Sequence, residues 1–142
     1  MADYTAQTVL VDNQRRYVVT LNGISDGTGE TDATKVTLTD MYMAGAQAGA
    51  EQIVVGSLVV EGIEWAIQGY TAIRFFWDTP EQNEIAILSP GEGSLCFEDT
   101  GLIDPDKANA DTFNPGNIVM TTTGHSAGDT YTITLRLRKK AA

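Results

Sequence analysis

The chain has 142 residues, with nineteen acidic and nine basic side chains, one cysteine and one histidine. This length suits one domain with one ordinary hydrophobic core, and a hydrophobic fraction of 42% excludes a disordered composition. The formal net charge of −10 argues against direct binding of nucleic acid through its phosphates. A single Cys96 and a single His125 exclude an internal disulfide framework and a multi-histidine metal centre, so no cofactor is expected.

The apolar segments are too short to cross a membrane. Acidic residues divide the apolar middle of the chain into pieces of about ten residues, well below the ~18 that a spanning helix needs. The N-terminal Met-Ala-Asp-Tyr has no basic stretch followed by an apolar one, as a secretory signal would. We therefore expect synthesis in a cytoplasm and no membrane partner.

Residues 1–12 form the first candidate element, because they contain neither Gly nor Pro. We predict either an N-terminal arm that adds to the sheet of a neighbour or an edge strand of the chain's own domain. Residues 13–140 are predicted to form that domain. The apolar residues that suit the arm for a protein interface are Tyr4, Val9, Leu10 and Val11.

Alternation with a period of two predicts the next strands. In residues 17–21, we expect Tyr17, Val19 and Leu21 to face inward, and the pattern of Lys35–Met41 is similar. Met41–Gln52 is rich in Ala and Gly, which favours either a short helix or a mobile loop. The candidate interface residues in this segment are Met41, Tyr42 and Met43.

The second half of the chain alternates more strongly. In residues 57–67 the expected inward residues are Val59, Ile63, Trp65 and Ile67, with Glu61 as the one exception on that face. Further on, Ile73, Phe75 and Trp77 share a face and leave Phe76 as the exposed aromatic residue. Shorter strands are predicted at 84–88, 94–97 and 117–122. In residues 131–137 the residues predicted to be buried, on a strand central to the core, are Tyr131, Ile133, Leu135 and Leu137.

Turn residues separate these strands. We expect hairpin loops at Asp26–Gly29, Ser89–Gly93 and Ala127–Asp129. Many short strands with turns between them are typical of a sandwich or barrel. The predicted fold class is therefore all-β, a single antiparallel β-sandwich or jelly-roll-like domain of about eight strands.

Few residues suggest chemistry. His125, Ser126 and Asp129 share one short turn, which explains them better than a catalytic triad does. Cys96 lies in a strand pattern and is expected to be a buried, unreactive thiol. The acidic loop with Asp104, Asp106 and Asp111 leaves calcium open, although solvated carboxylates explain it as well. We therefore expect no enzyme activity.

Two further groups are candidates for binding. Trp65, Phe76 and Trp77 are either a platform on which a sugar stacks or packed core residues. Four of the nine basic residues lie in the last seven positions and give an acidic body a basic tail. These candidate interface residues are Arg136, Arg138, Lys139 and Lys140.

The order of turns and strand ends in residues 75–140 resembles small virion structural proteins of tailed bacteriophages, particularly marine phages and cyanophages. The segments that carry the resemblance are Trp77-Asp78, Gly91-Glu92-Gly93, Gly101-Leu102-Ile103-Asp104-Pro105, Pro115-Gly116-Asn117-Ile118, Thr121-Thr122-Thr123-Gly124 and Gly128–Leu135. Thr100 stands where we expect a Gly before Gly101 and Leu102.

The resemblance implies a capsid decoration (cement) protein, or another accessory head protein, on the exterior of the virion. Its partner would be the major capsid protein, and self-association is expected, with a homotrimer favoured. Two alternatives stay open: a tail or head–tail connector component, and, from another class, a carbohydrate-binding module.

Overall fold

The computed structural model describes residues 4–13, 15–37, 55–78, 83–97, 101–103 and 117–141. Within these residues, every regular element is a β-strand. The strands are β1 (Tyr4–Asp12), β2 (Arg16–Ile24), β3 (Ala33–Val36), β4 (Val55–Gln68), β5 (Ala72–Trp77), β6 (Glu84–Leu88), β7 (Gly91–Cys96), β8 (Leu102–Ile103), β9 (Ile118–Thr123) and β10 (Thr130–Ala141).

The strands form two antiparallel sheets. The larger has the order β1-β2-β10-β4-β7, with β8 also pairing with β4, and the smaller has the order β3-β9-β5-β6. Strand β10 is central because β2 pairs along one of its edges and β4 along the other. The predicted all-β class and the antiparallel sandwich are confirmed, with ten strands in the described residues instead of about eight.

One hydrophobic core lies between the two sheets, and alternate residues of both supply it. The inward faces predicted for β2, β5 and β10 are confirmed, because all their members are buried in this core. They are Tyr17, Val19 and Leu21, then Ile73, Phe75 and Trp77, then Tyr131, Ile133, Leu135 and Leu137. Side chains in a strand alternate between its faces, so the sequence period directly identifies the buried face.

The face predicted for β4 is correct only in part, because a β-bulge interrupts the alternation. Arg136 of β10 pairs with Gly62 and Leu137 pairs with Val60, so Glu61 is the extra residue. Val60 therefore faces the core together with Ile63, although the two are three residues apart. Val59 was expected in the core but lies outside the core cluster, buried on the opposite face. A bulge adds one residue to a strand. The residues before it therefore face the side opposite to the one that an unbroken alternation predicts.

The three segments predicted as hairpin loops connect the two sheets instead. Asp26–Gly29 lies between β2 in the larger sheet and β3 in the smaller one. Ser89 and Pro90 lead from β6 to β7, and Ala127–Asp129 leads from β9 to β10, each time into the larger sheet. Gly and Asp residues favour a change of direction, but they do not determine which strand pairs with which.

Several element boundaries differ from the prediction. Strand β7 begins at Gly91, inside the segment Ser89–Gly93 that was predicted as a turn. The strand predicted at Lys35–Met41 is described as Ala33–Val36, and residues 38–54 lie outside the described part. The short strand β8 was not predicted, since two residues are too few to show a period.

Candidate interaction surface

Strand β1 forms one edge of the larger sheet. It pairs with β2 in an unbroken antiparallel register from Tyr4 opposite Ile24 to Val9 opposite Val19. Leu10 then forms a bulge, and the register resumes with Val11 opposite Val18. Because β1 stands at the end of the strand order, its other edge pairs with no strand among the described residues. Within the described residues, this edge thus offers a row of backbone donors and acceptors that no other strand uses.

The side chains of β1 are unusually open for a strand of a sandwich. No residue from Tyr4 to Asp12 is buried, and the apolar side chains of Tyr4 and Leu10 are 63% and 58% exposed. Val9 and Val11 are exposed as well, on opposite faces according to their register. Strand β1 therefore extends beyond the core and leaves apolar area on both of its faces.

The edge also lacks charge. The eight residues from Tyr4 to Val11 include no acidic, basic or proline residue, in a chain of net charge −10. Natural proteins usually protect an open edge with charged residues, proline, short length or a bulge. Here only the bulge at Leu10 is present, near the C-terminal end of the strand. The regular part, Tyr4–Val9, is thus a suitable template for another strand.

Lys139 is not an exposed charge of a basic tail. Its side chain is buried, and its Nζ donates to Asp12 Oδ1 at 2.5 Å and to the backbone oxygen of Asn13 at 2.6 Å. The alternation of β10 explains this position, because residue 139 continues the inward face of Leu135 and Leu137. The sequence contained this signal, since extending the period by one step places Lys139 inside. Lys139 fastens the end of β1 to β10.

The other basic residues of β10 have different surroundings. Arg136 Nε donates to Glu64 Oε1 at 2.7 Å, and both side chains are about half exposed. Arg138 is exposed, and the side chain of Lys140 is outside the described part. The side chains of Arg136, Arg138 and Lys139 therefore have three different environments, on a strand in the middle of a sheet.

The bulge in β4 helps form a groove on the outer face of the larger sheet. Glu61 Oε1 accepts a hydrogen bond from Arg16 Nη1 at 3.1 Å, and the Glu61 side chain is only 9% exposed. Bulges often redirect a side chain in this way. The groove measures about 580 Å³, and its lining comes mainly from β4, β7 and β10, including Glu61, Gly62, Glu64, Ser94, Cys96, Thr132, Thr134 and Arg136.

Both arginines of this groove already pair with carboxylates. Arg16 binds Glu61, and Arg136 binds Glu64. The hydroxyl groups of Thr20 and Thr134 also bond to each other, at 3.1 Å. These charged groups of the groove are therefore already paired, and the half-exposed pair of Arg136 and Glu64 stabilises the fold by about 0–1 kcal/mol.

Cys96 is exposed, contrary to the prediction of a buried thiol. It occupies the row Arg136–Gly62–Cys96 across the outer face of the sheet. Its strand, β7, is an edge strand, and its even-numbered residues face outward, which places the thiol in the groove. The strand pattern alone could not distinguish the two faces of so polar a segment.

The aromatic residues do not form an exposed platform. Trp77 is in the core, and Phe76 is also buried, so the prediction that Phe76 is the exposed member was wrong. The Arg74 guanidinium lies 4.8 Å from the centre of the Phe76 ring and covers it. Trp65 is partly buried and packs against the core. Within the described residues, these three side chains therefore present no common face to a sugar.

The turn with His125 has the hydrogen bonds of a structural turn. The Asp129 Oδ2 atom accepts a bond from the backbone N–H of Ser126 at 2.7 Å, and the Asp129 N–H donates to the Ser126 oxygen at 3.1 Å. The His125 ring packs against Gly29, where a Cβ would come within 2.4 Å of the ring. A φ of +73° likewise favours glycine there.

Two groups of predicted site residues lie outside the described residues. They are the possible calcium ligands Asp104, Asp106 and Asp111 and the interface candidates Met41, Tyr42 and Met43. In the described part, no group of three or more His, Cys, Asp or Glu residues is placed to hold a metal ion. Glu30 has a structural role there, because Oε1 accepts from Lys35 Nζ at 2.5 Å and Oε2 accepts from the Tyr131 hydroxyl at 2.7 Å.

Comparison with known proteins gives no family. No family model and no curated protein matches the sequence. Among solved structures, the chain is similar to a cupin domain from Bordetella pertussis Tohama I, with 14% identity, 99% of this chain and 98% of that chain covered, and a TM-score of 0.39. It is also similar to a variant of a family 29 carbohydrate-binding module, with 9% identity, coverages of 97% and 93%, and a TM-score of 0.36. Similarities this low carry no argument about function.

The described residues include no helix that is long and apolar enough to cross a membrane.

Proposed function

We propose that this chain is a non-enzymatic structural protein of a tailed-phage virion, which decorates the capsid exterior and bridges neighbouring major capsid subunits. After synthesis in the host cytoplasm, it would add to the assembled shell as a cement protein. The proposal combines the resemblance of residues 75–140 to phage virion proteins with the surface of β1.

The observation that carries the proposal is the open edge of β1. A strand of nine residues, uncharged from Tyr4 to Val11 and exposed on both faces, is suited to contact with another protein. Association through a strand edge supplies directional backbone hydrogen bonds, and the exposed apolar side chains add area that is removed from water. A protein of a symmetric shell can use such a contact many times, so that modest individual affinities combine.

Charge favours the outer surface of the shell. A net charge of −10 disfavours contact with packaged DNA, since phosphate binding requires basic groups. Arg138 is exposed on β10 and is available to an acidic patch of a capsid subunit. Such a contact weakens as salt rises, because exposed charges are screened over about 8 Å at physiological ionic strength.

The carbohydrate-binding alternative has little support, because Phe76 and Trp77 are buried and Trp65 is partly buried against the core. A sugar-binding protein of the usual kind needs an accessible aromatic face. The tail or connector alternative differs from the main proposal only in where the protein attaches, so the experiment must separate these locations.

The test uses particles of the phage whose genome encodes the chain. Purified protein is mixed with undecorated shells, with isolated tails and with connectors, and binding is measured by co-sedimentation and cryo-electron microscopy. We expect saturable binding to shells, with density at repeated positions on the exterior. Binding to tails or connectors alone would contradict decoration and favour the alternative position. Binding to none of the three, together with a positive glycan array, would contradict a virion role altogether.

A further inference from the structure

The regular part of the β1 edge has properties that suit a second copy of the same strand. Strand β1 from Tyr4 to Val9 keeps one register with β2, so no bulge interrupts the hydrogen-bonding pattern of this part of the strand. Two such edges can pair in antiparallel fashion about a twofold axis, which makes the contact isologous. The same residues then serve both sides of the interface.

Charge explains why a copy of this acidic chain can approach there. Two molecules of net charge −10 repel each other over most of their surfaces. The edge from Tyr4 to Val11 brings no charged side chain into the contact. The acidic residue at the end of the strand, Asp12, is bound by Lys139 of its own chain. The β1 edge is therefore suited to self-pairing, whereas like charges opposite each other would destabilise it.

The side chains are complementary when the twofold axis passes through Gln7 perpendicular to the sheet. Thr5 of one copy then lies opposite Val9 of the other, and Ala6 lies opposite Thr8. The residues of each pair belong to the same side of the sheet, as their register with β2 shows and as antiparallel pairing requires. Beyond these pairs, each end of the interface brings Tyr4 of one copy to the bulge at Leu10 of the other, where both exposed apolar side chains can lose contact with water.

We propose that the chain forms a homodimer in which β1 pairs with β1 of a second copy, making one continuous sheet across both sandwiches. The biological role of this dimer rests on the proposed function. A dimer carries two capsid-binding sandwiches and can therefore bridge two major capsid subunits. An isologous pairing closes after two copies, so at this edge the dimer replaces the trimer expected from the resemblance.

The first test compares two matched substitutions. Leu10→Lys places a charge on the β1 edge, where the native side chain is 58% exposed. Ile87→Lys makes the same change on the edge strand β6 of the other sheet, where the native side chain is 56% exposed. Sedimentation equilibrium measures self-association, and thermal melting shows that both variants fold. We expect Leu10→Lys to raise the dimer Kd roughly tenfold or more and Ile87→Lys to leave it unchanged.

The second test is a cross-link at the axis. Gln7→Cys in a Cys96→Ser background should form an intermolecular disulfide on mild oxidation, because residues facing each other across the axis lie about 4.5–5.5 Å apart at Cα. Ile87→Cys in the same background is the control and should stay monomeric on a non-reducing gel. A disulfide at position 7 alone supports the pairing, and equal cross-linking at both positions contradicts it.

The outcomes separate this inference from the proposed function. A wild-type protein that is monomeric at high concentration, or a dimer equally weakened by both lysine variants, overturns β1 pairing. If such a protein still decorates shells, the proposed function stands without it. A dimer that Leu10→Lys dissociates but that binds no shell supports the pairing and contradicts the capsid role.

Discussion

Strands β1 and β10 pair with opposite edges of the same strand, β2, yet their environments are opposite. β10 has a paired strand on each side and buries every second residue from Tyr131 to Lys139. β1 has a partner on one side and buries none. The sequences of both segments predict strands with apolar residues, so apolar content alone does not determine burial.

The difference comes from the number of strands in each sheet. The larger sheet orders five strands along its main path, and the smaller sheet orders four. Strand β10 lies over the smaller sheet, whereas β1 lies at the end of the larger one. β1 is therefore held mainly by its hydrogen bonds to β2 and by the contact between Asp12 and Lys139. We expect mutations in β10 to act on folding and mutations in β1 to act on association.

The largest effect is expected at the centre of β10. Leu135→Ala removes a fully buried side chain from the core, which should lower the free energy of unfolding by about 2–5 kcal/mol, because the loss of apolar burial is added to the cost of a cavity. Chemical denaturation with urea measures the change.

Thr132→Ala on the same strand is the control, since Thr132 is exposed on the opposite face. Its effect should be below about 1 kcal/mol. Equal losses for both variants would mean that the inward and outward faces of β10 are assigned wrongly.

The faces of β2, β5 and β10 could be predicted from sequence because their alternation is unbroken. The bulge at Glu61 could not be predicted in this way, since an inserted residue is visible only through the pairing of Gly62 and Val60 with β10. The links between sheets were likewise predicted as hairpins, because turn residues report a local change of direction and strand pairing is long-range. At the candidate surface, the apolar residues of β1 are exposed and their role in an interface stays a prediction, whereas Lys139 is buried, as the period of β10 implies when it is extended by one step.

An intermediate effect is expected where the two strands meet. Lys139→Met removes both hydrogen bonds of the buried Nζ and leaves Asp12 without that partner. We expect a loss of about 1–3 kcal/mol in the free energy of unfolding, the cost of leaving partly buried polar groups unsatisfied. Hydrogen exchange should show that the amides of β1 lose protection first, since Lys139 fastens the end of that strand.

Arg138→Met is the matched control, one residue earlier on the outward face. It should change stability by less than about 0.5 kcal/mol, because substitutions at exposed positions away from special contacts usually have small effects. If Arg138→Met destabilises the protein as much as Lys139→Met does, charge as such is responsible and the buried contact is not.

The smallest effect on the stability of the isolated subunit is expected at Leu10. This substitution tests most directly whether β1 acts on association and β10 on folding. Leu10→Ala removes a side chain that is 58% exposed, so the dilute protein should lose no more than about 0.5 kcal/mol in the free energy of unfolding. If β1 pairs with a second copy, the same substitution should cost more as the protein concentration rises, because dimer formation adds to the apparent stability of the wild type by mass action. Thermal melting over a wide concentration range measures both quantities. Leu135→Ala should lower the melting temperature at every concentration, since its contacts lie within one subunit. A large, concentration-independent loss for Leu10→Ala would place that side chain in the core and remove the distinction between the two strands.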